Sequence, residues 1–154
     1  RNPVMRYRKM ALDAGVQCRV DDGDIVGRTA DGDRRYEIGC ANEAGAWLER
    51  RTDGWAVMDC VTVTARGGEC RLTSENERLA TFGRWLSADP AADCRPTRIG
   101  GMGQSVDGDA YFQVLCSEGS TRVIALDTRH RVVRNLPCEN ATNIGGGCRP
   151  WASD

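Results

Sequence analysis

The 154-residue chain has one histidine, His130, and one lysine, Lys9. A hydrolase triad would need that imidazole as its base, and it lies in Thr128-Arg129-His130-Arg131, which reads as the exposed tip of a polar hairpin. A catalytic zinc asks for several histidines or free thiolates, and no Cys-x-x-Cys pair is present. The sequence therefore gives no catalytic residue, no metal ligand set and no cofactor, and the chain reads as a non-enzyme. Aromatic residues are only 6% of the chain, which limits the core. No apolar run reaches the length of a membrane-spanning helix. Twenty-one basic residues balance 22 acidic ones without a basic stripe, so nothing points to nucleic acid. Gly145-Gly146-Gly147 lacks the lysine of a phosphate loop, and Asn140-Ala141-Thr142 is a chance match to a glycosylation acceptor.

What the chain does have is eight cysteines in two matching sets. Cys18, Cys40, Cys60 and Cys70 are spaced 22, 20 and 10 residues apart, and Cys94, Cys116, Cys138 and Cys148 are spaced 22, 22 and 10 apart. The flanking residues agree as well. Asp31-Gly32-Asp33 before Cys40 lies on Asp107-Gly108-Asp109 before Cys116, and Gly67-Gly68-Glu69-Cys70-Arg71 lies on Gly145-Gly146-Gly147-Cys148-Arg149. This is an internal duplication with a two-residue insertion in one loop of the second copy. Each copy of about 75 residues is in the range where a core alone is marginal and covalent staples are needed. The expected fold is α+β: two tandem disulfide-stapled modules, residues 1–72 and 73–154, each a helix followed by a small antiparallel β-meander.

Ser74-Glu75-Asn76-Glu77 has the form of a capping box, and Leu79, Phe82 and Leu86 follow at helical spacing up to Asp89-Pro90. In the first module Asn2 is placed to cap a shorter helix, with Pro3 at its first position and Val4, Tyr7, Met10 and Ala11 on one face. Strands are expected over 16–20, 25–29, 35–41, 47–50 and 55–58, separated by Asp-Gly turns. The second module supplies 98–105, 110–116, 122–126 and 132–135. A helical turn over 61–65 precedes the Gly-Gly pair.

Eight cysteines allow 105 pairings. Repetition reduces these, because equivalent modules bridge equivalently. The short loops favour Cys60 with Cys70 and Cys138 with Cys148, leaving Cys18 with Cys40 and Cys94 with Cys116. An even, fully paired set belongs in an oxidising compartment. The chain opens at Arg1 with no apolar leader, as expected of an exported chain after signal removal or of a piece of something longer.

The Cys18-Arg19-Val20 and Tyr36-Glu37-Ile38-Gly39-Cys40 strands, with the Gly67-Gly68-Glu69-Cys70-Arg71-Leu72-Thr73 close, resemble poorly characterised cysteine-rich repeat proteins exported by Gram-negative bacteria. The resemblance implies an extracytoplasmic home and tandem repetition, and no activity. The function expected is an interaction or assembly component of a cell envelope or extracellular structure, whose partner is another protein or further copies of itself. The partner-binding candidates are the Val4, Tyr7 and Met10 face and Trp151 at the other end, since end modules of an array leave apolar faces uncovered. The alternative is a secreted calcium- or ligand-binding module, in which the Asp-Gly-Asp turns gather carboxylates for a hard cation; a hydrolase or inhibitor is less favoured.

Overall fold

The structure, a computed structural model, describes residues 3–152; the capping role expected of Asn2 lies outside them. It is α+β with two antiparallel four-stranded sheets. Two compact units divide as Arg1–Thr64 with Gly68–Thr81, and Ala65–Gly67 with Phe82–Asp154.

In the first unit the helix α1 (Pro3–Asp13) precedes β1 (Val20–Arg28), β2 (Arg34–Cys40), β3 (Glu43–Arg51) and β4 (Gly54–Asp59), a meander in sequential order. The short helix α2 (Cys60–Ala65) follows, and then α3 (Glu75–Ser87), which runs from the first unit into the second. The second unit repeats the meander as β5 (Pro96–Gln104), β6 (Ala110–Cys116), β7 (Thr121–Leu126) and β8 (Val132–Pro137), and closes with a single 3-10 turn over Cys138–Asn140 where the first has α2.

The capping box forms as the sequence predicts: Glu77 N donates to Ser74 Oγ and Ser74 N to Glu77 Oε1. The same carboxylate also accepts from Asn42 N, while Thr81 Oγ1 accepts from Ala44 N and Thr73 Oγ1 from Gly45 N. Three N–H groups around the β2–β3 turn are thus satisfied by the chain from Thr73 to Thr81, so these residues pack with the first unit although the sequence module boundary lies at Leu72.

One expectation is corrected. Within 16–29 a single strand forms, β1 over Val20–Arg28, in place of a pair of strands broken by Asp21-Asp22-Gly23-Asp24; residues 16–19 are irregular. The acidic residues are tolerated because β1 is a sheet edge with exposed side chains, and Asp22 and Asp24 each accept from the next backbone N–H. Gly23 is required there by packing, since a Cβ would stand 2.1 Å from Cγ of Tyr7.

Tyr7, Ala11, Val20, Ile38, Cys40, Ala46 and Leu48 make the core under α1, and Cys60, Val63 and Cys70 with Trp47 and Met58 cover the opposite face of the sheet. In the second unit Phe82 packs on Phe112 with ring centroids 5.0 Å apart. Each large buried side chain contributes about 1.5–3 kcal/mol. The bridges Cys18–Cys40, Cys60–Cys70, Cys94–Cys116 and Cys138–Cys148 stay within modules, and each contributes roughly 2–5 kcal/mol, so staples and core are of comparable weight in domains this small.

Each sheet also buries one polar side chain at the same strand position, and the two differ chemically. Glu37 of β2 is wholly buried. Its Oε1 accepts from Trp47 Nε1 and Arg71 N, both at 3.2 Å, and its Oε2 from Leu72 N at 2.5 Å. Gln113 of β6 accepts from Arg149 N at 2.8 Å and donates to Arg149 O at 2.7 Å. The groups on offer decide which is used. Leu72 has an N–H and its counterpart Pro150 has none. Trp47 pairs across from Glu37, whereas Val123, which has no side-chain donor, pairs across from Gln113. Three donors suit a carboxylate that only accepts; one donor and one acceptor suit an amide.

Exchanging the two should therefore hurt both units. Glu37→Gln turns an amide N–H₂ toward donors, and Gln113→Glu turns a carboxylate oxygen toward a carbonyl. We expect each to lower stability by about 1–3 kcal/mol in denaturant titrations with the bridges intact. Glu69→Gln, on the surface, should stay within about 0.5 kcal/mol. Equal, negligible effects at all three positions would refute this account of the pair.

Candidate functional site

The two-residue insertion in the second module falls in the β7–β8 hairpin and there organises the only histidine. Asp127 Oδ1 accepts from Arg129 N at 2.9 Å and Arg131 N at 3.0 Å, and Arg131 Nε reaches Oδ2 at 3.2 Å. The wrapped turn holds His130 at φ 63°. Its ring lies flat on the indole of Trp85 from α3, with centroids 3.7 Å apart and planes 9° from parallel. His130 is thus a half-buried stacking residue as well as a turn residue. The Arg131 N–H, chiefly, then the Arg129 N–H and the Arg131 guanidinium, hold the Asp127 carboxyl below its ordinary range against partial desolvation.

The acidic turns are closed by their own backbone. Thr29 N donates to Asp33 O and Gly32 N to Thr29 O; in the second unit Ser105 N donates to Asp109 O and Gly108 N to Ser105 O. Gly32 and Gly108 sit at φ 85° and 91°, where a side chain would be strained. Among the described residues no group of three or more His, Cys, Asp or Glu side chains gathers as a metal site.

A cleft of about 450 Å³ in the second unit is lined by Leu86, Ser87, Asp89, Asp93, Arg95 and Pro96, among others. Its inner carboxylate, Asp89, accepts from Ala91 N and Val132 N and so ties the helix-to-strand connector to β8. Asp93 and Arg95 are exposed. The cleft brings no nucleophile and base together.

The partner-binding candidates lie in different surroundings. Tyr7 is 8% exposed, and Val4 and Met10 are partly buried against the same core, so that face of α1 covers its own sheet. The outer face of α1 presents Met5 and Leu12 instead. A helix this amphipathic has one apolar stripe, and in a folded module the sheet takes it first. Trp151 is half-buried beside the second sheet: Arg98 lies over its ring at 5.0 Å, and its Nε1 donates to Thr121 Oγ1 at 3.4 Å. All eight cysteines are bridged.

Two features have no signal in the sequence. Glu37 and Gln113 stand on the face of β2 and β6 opposite the apolar set Tyr36, Ile38 and Cys40 or Phe112, Val114 and Cys116, which reads as solvent-facing. The Trp85–His130 stack joins a helix residue and a hairpin tip that meet only in three dimensions. Comparison with known proteins finds no family model, curated protein or solved structure that matches the chain.

Two outcomes are expected. Because the Asp127 carboxyl is lowered in the folded state, its contribution is complete above the ordinary pKa and is lost as pH falls through the lowered value. In an NMR titration the Arg129 and Arg131 amides should move together with a midpoint below 3.8, and a midpoint at or above it would refute the wrapped turn. Separately, chelator should leave the melting temperature unchanged, and Asp31→Asn, Asp33→Asn, Asp107→Asn and Asp109→Asn should cost little, since Asn-Gly forms the same kind of turn. A chelator-induced drop of several degrees would instead mark a bound cation.

Proposed function

We propose that this protein is a non-enzymatic extracytoplasmic interaction or assembly component of a cell envelope or extracellular structure. Its partner is another protein chain or further copies of itself. The observation that carries the reading is the duplicated stapled scaffold, whose polar side chains tie backbone to backbone. Glu37, Gln113, Glu77 and Asp89 all bond N–H or C=O groups of the chain itself. Such a scaffold presents rigid surfaces in duplicate, which suits binding.

The four bridges support an oxidising compartment. No helix among the described residues is long and apolar enough to cross a membrane. Trp151 remains the candidate anchor at one end, because a half-exposed indole beside a guanidinium gives a partner both area and polarity.

The reading is tested on the purified, oxidised chain. Light scattering coupled to size-exclusion chromatography should give a defined complex, with itself or with an added envelope protein, in place of a 16.8 kDa monomer. Reduction of the bridges should dissolve it. Trp151→Ala should weaken it by about tenfold or more, as truncation of an interface anchor does. Turnover on a substrate panel that persists in His130→Ala would overturn the non-enzymatic assignment.

A further inference from the structure

A surface helix ordinarily turns its apolar stripe to the core and small or polar residues to water. The helix α3 does so: its exposed residues are Glu75, Asn76, Ala80, Arg84 and Ser87. The helix α1 does not. At the spacing that makes residues neighbours on a helix, its outward stripe reads Met5, Arg8, Lys9 and Leu12. All four are exposed, Met5 at 64% and Leu12 at 77%. Leu12 also borders a notch of about 260 Å³ between the end of the helix and the start of β1, which Arg8, Val16 and Arg19 line as well.

The chain does not neutralise the cations of this surface. Between residues 3 and 20 the basic residues are Arg6, Arg8, Lys9 and Arg19 and the only acid is Asp13, in a chain whose net charge is -1. None of the four forms an ion pair with a described residue. Arg8 uses its Nε on Val20 O at 3.1 Å, which leaves its terminal nitrogens, and Arg6 lies over the Tyr7 and Tyr36 rings. The acids of β1 are on the other side of the sheet. Gly23 faces the Tyr7 ring, so its neighbours Asp22 and Asp24 point away from α1, and there Asp24 meets Arg71 at 3.6 Å.

We propose that α1 docks this stripe on an anionic phospholipid bilayer, lying in the plane of the interface with Met5 and Leu12 dipped below the headgroups. The order of residues along the stripe selects this partner. A groove on another protein takes apolar anchors at the positions between Met5 and Leu12 as well, and those positions are Arg8 and Lys9. A bilayer surface suits long cationic side chains there, because their stems lie along the apolar residues while the charged ends reach the phosphates. The notch receives one headgroup phosphate between Arg8 and Arg19, whose planar guanidiniums match its oxygens. Two apolar side chains alone hold a helix weakly, so docking depends on the charge of the lipid. With 11 residues, α1 lies on the bilayer and does not cross it. The inference adds a lipid surface to the protein partner proposed above and does not depend on it.

The test is co-sedimentation of the oxidised full chain with vesicles of phosphatidylcholine, alone or mixed in equal parts with phosphatidylglycerol. Binding is expected on the mixed vesicles only, and it should fall steeply as salt is raised. Lys9→Glu and Arg19→Glu should each lower the partition coefficient at least about fivefold. Leu12→Ser should lower it by about as much, because it removes an inserted group. Val106→Ser, at an exposed valine in the β5–β6 turn, should leave it unchanged. All four positions are exposed, and melting temperatures establish that the variants fold. Equal binding to both kinds of vesicle, or undiminished binding by the charge variants, would overturn the proposal. Binding that is lost in the charge variants but kept in Leu12→Ser is adsorption without insertion, and would overturn the interfacial placement of the helix. A chain that ignores both kinds of vesicle would overturn the lipid partner; titration with inorganic phosphate and with polyglutamate then tells a free-phosphate site from a surface for acidic protein.

Discussion

The constraint on which both modules depend is that a chain segment with no regular structure must cross the face of a sheet without leaving its backbone groups unpaired. After the last cysteine of each module the backbone passes the second strand of the sheet without joining its ladder. One long polar side chain from the second strand meets it, and the bridge just before it fixes its start. An unpaired buried N–H would cost as much as a large apolar contact gains. The Cys60–Cys70 and Cys138–Cys148 bridges therefore act together with Glu37 and Gln113.

Polar side chains elsewhere in the fold are used on the backbone in the same way. Glu77 divides its two oxygens between its own helix cap and the β2–β3 turn. The matching turn of the second unit supplies its own acceptor: Glu118 takes the Ser120 hydroxyl, and this bond, more than any other, lowers its carboxyl below the ordinary range. The duplicated halves are thus alike in topology and different in the way individual donors are satisfied.

Much of this fold was legible in the sequence because its strongest signals are local or periodic. The matched cysteine intervals gave the duplication and the pairing, Ser74 and Glu77 gave the start of α3, and the Asp-Gly turns gave the hairpins. Failures came where a tertiary neighbour overrode a local signal. Asp21-Asp22-Gly23-Asp24 has turn composition, yet the Tyr7 ring over Gly23 and the open edge keep it extended. Helical spacing marks the Val4, Tyr7 and Met10 face of α1 as apolar, but only the tertiary structure shows that it lies on the chain's own core. The two-residue insertion was visible, but that it sets His130 on Trp85 was not, since that contact joins residues far apart in sequence.

The bridges have one more property, which lies in their order along the chain. Each cysteine is joined to the next one: Cys18 to Cys40, Cys60 to Cys70, Cys94 to Cys116 and Cys138 to Cys148. No loop encloses or interleaves with another. A chain oxidised from its N-terminus onward as it emerges into an oxidant would meet its native partner at every step, before a competing thiol had appeared. Thiol–disulfide exchange, the slow part of maturation for interleaved patterns, then has nothing to correct. The first module can be covalently complete while the second is still being delivered.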